Sequence, residues 1–250
     1  MNVIKAEFMK YYEEMKAYYP DHIVSLVVNY IFFMGFFISF SKTSLINDNL
    51  HIGFIYWFYA SIIISEGSVS ISYEKQTGTF EQLLLKPINI LRILTVRTWI
   101  WIFITTIKLI ILMSLVMISL KTVFSFNIML IPILFITLWG IYGFGMILSG
   151  ITLIFNKAAS FESIISYSLL FFTGGIIPLE QLPNKVQNVS QILPLTLGIN
   201  LSQKVLSGYN IAFNDIVKLT FNSFIFFFVG ITIFKLAYNY SIKNGLSSSY

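Results

Sequence analysis

Cysteine is absent from this sequence, which excludes disulfides and thiolate metal centres. There are two histidines, His22 and His51. They fall at opposite ends of the first two apolar runs and form no His-x-x-x-His pair, so no metal site is expected. No G-x-x-x-x-G-K-[ST] loop occurs, and ATP is not expected to be held on this chain in that way. Charged residues make up only 11% of the chain. They form no basic patch of the kind that binds nucleic acid, and they are too sparse for an ordinary soluble surface. An intramembrane enzyme would need His, Asp or Ser clustered within one apolar run, and no such cluster is visible. No cofactor is therefore expected on this chain.

Lipid-compatible sequence fills the space these absences leave. Hydrophobic residues reach 56% and the mean hydropathy is +0.79. A helix needs about 20 mostly apolar residues to cross a hydrocarbon core. Six runs qualify, at 22 to 40, 51 to 71, 98 to 120, 128 to 154, 161 to 178 and 216 to 238. None alternates apolar and polar residues as a barrel strand would. The fourth run is longer than required and is expected to tilt or kink near Gly140, Gly143 and Gly145. The fold class expected is an all-α integral membrane protein forming a single transmembrane domain over 1–250. Within it lie an amphipathic segment at 1–21, a charged loop at 72–97 and an outer region at 179–215.

Basic residues set the orientation. With six spans, one side carries Lys5, Lys10, Lys16, Lys75, Lys86, Arg92, Arg97, Lys157, Lys235 and Lys243. The other carries Lys42, Lys121, Lys185, Lys204 and Lys218, with Lys108 inside a span. The positive-inside rule then predicts a multi-pass plasma-membrane protein with both termini cytoplasmic. The polar, Tyr-rich start is not a cleavable signal pattern. Ile4, Phe8, Tyr11, Tyr12, Met15, Tyr18 and Tyr19 recur there at helical spacing, and Pro20 is expected to break the helix before the first span. Such a helix either lies in the membrane interface or packs on the inner ends of its neighbours, and both roles are compatible.

Residues 71 to 97 differ from the rest: charged, punctuated by Thr and Gly, and holding both arginines, Arg92 and Arg97. Thr79 with Gln82 three positions on predicts a capping box, and Gly78 ahead of it allows the turn. Phe80, Leu83 and Leu84 share a face, and Pro87 ends the helix. Asn89 is placed to cap the next helix. The expectation is a short surface helix with exposed apolar knobs that docks a soluble partner; the alternative is a solvated charged loop.

The run Tyr73-Glu74-Lys75-Gln76-Thr77-Gly78-Thr79-Phe80-Glu81-Gln82-Leu83-Leu84, with Lys86-Pro87-Ile88 and Ile93-Leu94 following, resembles the E-x-x-x-G-T-x-E-x-L-L segment of type-2 ABC transporter permeases. Phe172-Thr173-Gly174-Gly175-Ile176-Ile177-Pro178-Leu179-Glu180-Gln181-Leu182-Pro183, then Leu193-Pro194-Leu195, is similar to that family's G-x-x-x-P-x-x-x-L-P and L-x-P-L elements. The resemblance implies two permease subunits, identical or different, in the membrane lipid. Each would receive a cytoplasmic ABC ATPase subunit that binds ATP and Mg. It assigns Glu74, Thr77, Gly78, Thr79, Phe80, Glu81, Leu83 and Leu84 to a coupling helix that meets the ATPase. It assigns Gly174, Gly175, Pro178, Leu182, Pro183 and Pro194 to an extracellular gate. The implied function is export of a hydrophobic or amphipathic cargo: a drug, an antimicrobial or toxin peptide, or a lipid-linked molecule.

The residues fit that outer region physically. Gly174 and Gly175 loosen the end of the fifth run, and Pro178 cannot continue a regular helix. The pieces after it, 179 to 187 and 189 to 206, are too short or too polar to span, so short helices dipping into the outer leaflet are expected. Glu66 and Lys108 are the intramembrane charges, read either as functional groups or as a structural contact with each other. Glu162 is expected to mark the cytoplasmic end of the fifth span. Gly145 and Ser149, four apart, suit close packing of helices or a subunit interface. Two other classes remain as alternatives: a self-sufficient channel or transporter, indifferent to changes in the 74 to 84 loop, and a toxin-binding immunity or sensor membrane protein.

Overall fold

The computed structural model of the protein describes residues 3–41, 50–85, 89–155 and 158–243. Lys42, Lys86 and Lys157, used above for orientation, lie outside them. The described residues are helical, with no strand among them.

The first helix, α1 (Val3–Ala17), is separated from α2 (Tyr19–Ser41) by a turn at Tyr18. Pro20 sits in the first turn of α2, where its missing N–H costs no helical hydrogen bond. One face of α1 packs on α5 and another is exposed. Its Tyr11 side is buried against Ile100 and Ile104, while Ile4, Phe8 and Tyr12 form an exposed apolar stripe.

Then come α3 (Leu50–Gln76), α4 (Thr79–Leu84), α5 (Ile90–Leu120), α6 (Leu130–Ile154), α7 (Glu162–Phe172), α8 (Asn184–Ser190), α9 (Pro194–Leu206) and α10 (Phe213–Lys243). Among the described residues, five helices are long and apolar enough to cross a membrane: α2, α3, α5, α6 and α10. The run at 161–178, expected as the fifth of six spans, is instead a short 3-10 turn (Ala158–Phe161), the 11-residue α7 and an irregular stretch to Pro178. Eleven residues rise only about 16 Å, roughly half a hydrocarbon core. The helix stops where Gly174 takes a left-handed backbone, φ 82°.

Two contacts give the depth of α7. Trp57 Nε1 donates to the Ser166 carbonyl at 2.9 Å, and a Cβ on Gly53 would overlap the Gly175 backbone. Hence α7 runs antiparallel to the Leu50 half of α3. Glu162 lies about one turn past the Trp57 level, near the middle of α3, and does not mark a helix end on the α4 side.

The core is built around α3, which packs on α5, α6, α7 and α9, and around the long α6–α10 pair. Small residues allow the close approach. Gly143 lies against the backbone of Phe226, and Gly230 against that of Gly143. Gly67 faces Ser149 and Gly145. The glycines of α6 therefore serve packing along one continuous helix, and Gly145 and Ser149 are consumed inside the chain. With lipid tails as apolar as leucine, such backbone proximity supplies the dispersion contact that holds helices together. Aromatic rings fill the α2–α3 seam, where Phe33 and Phe54 are 4.4 Å apart between centroids. Several hydroxyls inside helices bond backward, as Thr137 does to Ile133 O at 2.7 Å and Ser149 to Gly145 O at 2.8 Å, which satisfies them within their own helix.

Candidate partner-coupling site

The last turn of α3 carries its own closing device. Thr77 N–H donates to Tyr73 O at 3.0 Å and Gly78 N–H to Lys75 O at 3.2 Å. Gly78 is left-handed, φ 69°, the conformation that commonly ends a helix. The chain then reverses into α4. Thr77 Oγ1 donates to Tyr73 O at 3.0 Å, and Thr79 Oγ1 donates to Glu74 O at 3.3 Å. Thr79 was expected to cap α4 with Gln82. Its hydroxyl instead turns back to α3, because the left-handed turn brings it under that helix's open carbonyls. Asn89 behaves as expected: its Oδ1 accepts from Leu91 N at 2.9 Å at the start of α5.

Burial corrects the reading of the apolar knobs. Phe80 is 1% exposed and Leu83 8%, and both belong to the main core. Residues three apart share one face of a short helix, and here that face is laid against α3. The side chains of Glu81 and Leu84, and the whole of Lys86, Pro87 and Ile88, lie outside the described residues. What faces outward is a mixed surface of Tyr73, Gln76, Thr77, Gly78, Thr79, Gln82 and Leu85, with Tyr73 66% and Leu85 86% exposed.

Arg97 ties this turn to the rest of the molecule. Its Nη1 donates to Glu74 Oε1 at 2.6 Å, and its Nε donates to Glu7 Oε2 at 3.0 Å. The three side chains belong to α5, α3 and α1, and Arg97 is only 3% exposed. One guanidinium thus fixes three helices through charge-assisted bonds. Beside it, Tyr11 Oη donates to Glu66 Oε2 across a long 3.5 Å. Burial, followed by the nearby Glu66 charge, pushes the Tyr11 hydroxyl far above the usual phenol range, so it remains a donor at any physiological pH. These groups line a polar cleft of about 580 Å³ opening between α1, α3, α4 and α5.

Glu66 and Lys108 do not meet. Across the α3–α5 seam, Glu74 pairs with Arg97 and Tyr59 with Thr106 (2.8 Å). Glu66 falls between those two levels, whereas Lys108 lies beyond the second. Lys108 Nζ is instead 3.2 Å from His22 Nδ1 and 5.7 Å from the centre of the Trp101 ring.

The residues assigned to the outer gate are spread over two places. Gly174 packs on Leu179 and its carbonyl accepts from Gln203 Nε2 at 3.3 Å, while Gly175 rests on Gly53. Pro178 opens the short 3-10 turn Leu179–Gln181, Leu182 is buried behind it, and Pro183 precedes α8. Pro194 stands apart, as the first residue of α9, against Gly140 of α6. From there α9 rises past Gly198, which touches Thr137 and Tyr56, to Ser202, whose Oγ is 2.7 Å from Tyr56 Oη. It is a buried helix docked in the half of the bundle away from α4.

Glu7, Tyr11, Tyr73, Leu85 and the bridging role of Arg97 were missed from the sequence. One signal was available: Arg97 is one of two arginines and stands at the edge of an apolar run, where an unpaired guanidinium would be costly.

A search among curated proteins found no match to the chain. The family model described as ABC-2 type transporter matches residues 1–207, a stretch that takes in α1, the α3–α4 turn, the Arg97 tie and the α7–α9 region. That family is a membrane transport domain without an ATPase of its own. With five helices of spanning length, this multi-pass membrane chain belongs to the ABC-2 type transporter family, as the permease of an ABC transporter.

Proposed function

We propose that the chain is the permease subunit of an ATP-driven exporter, with both termini and the α3–α4 turn on the cytoplasmic side of the plasma membrane. A separate subunit binds and hydrolyses ATP with Mg and rests on the outward surface of the turn. Two permeases, identical or related, enclose the path between them.

The observation that carries this reading is the construction of the turn. Phe80 and Leu83 anchor it in the core, Tyr73, Thr79, Gln82 and Leu85 face outward, and Glu74 at its base shares Arg97 with Glu7. A push on α4 passes through Glu74 to α5 and α1 together, which is the contiguous contact that a nucleotide-biased two-state element requires. A hydrophobic or amphipathic cargo suits the far half. The open cleft of about 520 Å³ between α7 and α8 is walled by Ile164, Phe172, Val186, Val189 and Leu193.

Co-expression with a candidate ATP-binding subunit tests the proposal. A complex stable in mild detergent, with vanadate-sensitive ATP hydrolysis and vesicle efflux that needs ATP, is the expected result. Transport or conductance by the chain alone, without nucleotide, would overturn it.

A further inference from the structure

Lys108 carries a charge that the permease reading leaves unused. It sits near the middle of α5, at the edge of a surface where Phe103, Ile107, Ile110 and Ile111 are exposed. The neighbouring surface of α2 is equally apolar and exposed at Ile23, Val24 and Val27. Together these faces form an exposed apolar surface suited to acyl chains. An ammonium at such a position is drawn along the helix toward the interface. Here it bends back to His22 Nδ1 at 3.2 Å and lies 5.7 Å from the Trp101 ring centre.

Neither neighbour supplies a counter-charge. Lys108 makes no ion pair among the described residues. Asp21, next to His22, is exposed and acts on the imidazole only through its field. Because the ammonium donates to Nδ1, the ring carries its proton on Nε2. Lys108 and His22 therefore offer donors only, the remaining ammonium hydrogens and the imidazole Nε2–H, over the ring of Trp101, whose edge packs on Tyr11. Exposed Tyr18 and Tyr19 at the α1–α2 bend and Trp101 itself mark headgroup depth, where amphipathic rings collect.

We propose that Lys108 and His22, set over the ring of Trp101, form a binding site for the phosphate of an anionic phospholipid, in the leaflet on the α1 side, with its acyl chains along the α2–α5 surface. Charge complementarity selects the occupant, since a donor-only cluster between transmembrane helices fits an acidic headgroup and rejects a second cation. The lipid would brace the α1–α2 bend beside the Arg97 tie.

The test uses the full chain, purified in mild detergent and exchanged into equimolar phosphatidylglycerol and phosphatidylcholine, with retained lipid read by native mass spectrometry. One lysine near the surface contributes about fivefold in preference for anionic lipid, and that excess of phosphatidylglycerol is expected on the native protein. Lys108→Met should abolish it, Lys108→Arg should keep it, and His22→Gln should weaken it while the charge stays. His22→Gln and the native preference decide the matter if Lys108→Met does not fold. Equal retention of both lipids by the native protein, or full preference in Lys108→Met or in His22→Gln, would overturn the site. So would displacement of the lipid by millimolar glycerol 3-phosphate, which would assign the cluster to a free anion.

Discussion

At the α4 end of the bundle, one guanidinium holds carboxylates from two other helices at 2.6 and 3.0 Å. At the opposite end, Gly53 lies directly on Gly175 and Tyr56 shares a neutral hydrogen bond with Ser202. Removing one member of an ion tie leaves its partners buried and charged, so the tie fails as a unit. Backbone-on-backbone packing gives way locally and by degrees. The end suited to receive a push from outside is the one whose helices are coupled through a single side chain. The end suited to keep its shape around an apolar cleft is the one whose buried contacts are uncharged, its Lys204–Asp215 pair at 3.2 Å being exposed.

Loss of the tie should produce the largest effect. Arg97→Met strands Glu7 and Glu74 and is expected to cost about 3–5 kcal/mol. Thermal unfolding in detergent should show that loss, and hydrogen exchange should show α1 deprotected while α9 keeps its protection. Equal deprotection at both ends would erase the contrast. Gly53→Ala comes next, because its methyl overlaps the Gly175 backbone, and overpacking costs about 1–3 kcal/mol. Its exchange signature should appear in α7 and leave α1 unchanged. Tyr56→Phe removes only the hydroxyl facing Ser202 and should cost under about 1 kcal/mol, as hydrogen bonds between membrane helices do. The smallest effect concerns Glu66 and Lys108. Since they do not touch, the stability losses of Glu66→Gln and Lys108→Met should add to within about 0.5 kcal/mol in the double variant. A double variant more stable than the sum would restore a direct pair.

Much of this arrangement was legible in the residues. Long apolar runs gave four spans and the last one, and Asn89 and Gly78 have the local chemistry of a cap and a turn, which needs only neighbours in sequence. The run at 161–178 misled because composition cannot see where a helix stops, and Gly174 ends this one after 11 residues. Phe80 and Leu83 misled for a related reason: periodicity shows that they share a face, and only the fold shows that α3 covers it. Arg97, 90 positions from Glu7, and Lys108, 86 from His22, found partners at distances no local pattern encodes.

The central claim is that a partner reads the outward face of the α3–α4 turn, while the buried face of α4 only supports it. Tyr73→Ser with Leu85→Ser alters two exposed side chains and should leave the unfolding temperature of the isolated permease essentially unchanged, within about 0.5 kcal/mol. Retention of the ATP-binding subunit on a column bearing this double variant tests the claim most directly. The account predicts that the subunit is lost although the permease stays folded. Undiminished retention would contradict it, and would move the docking surface off this turn.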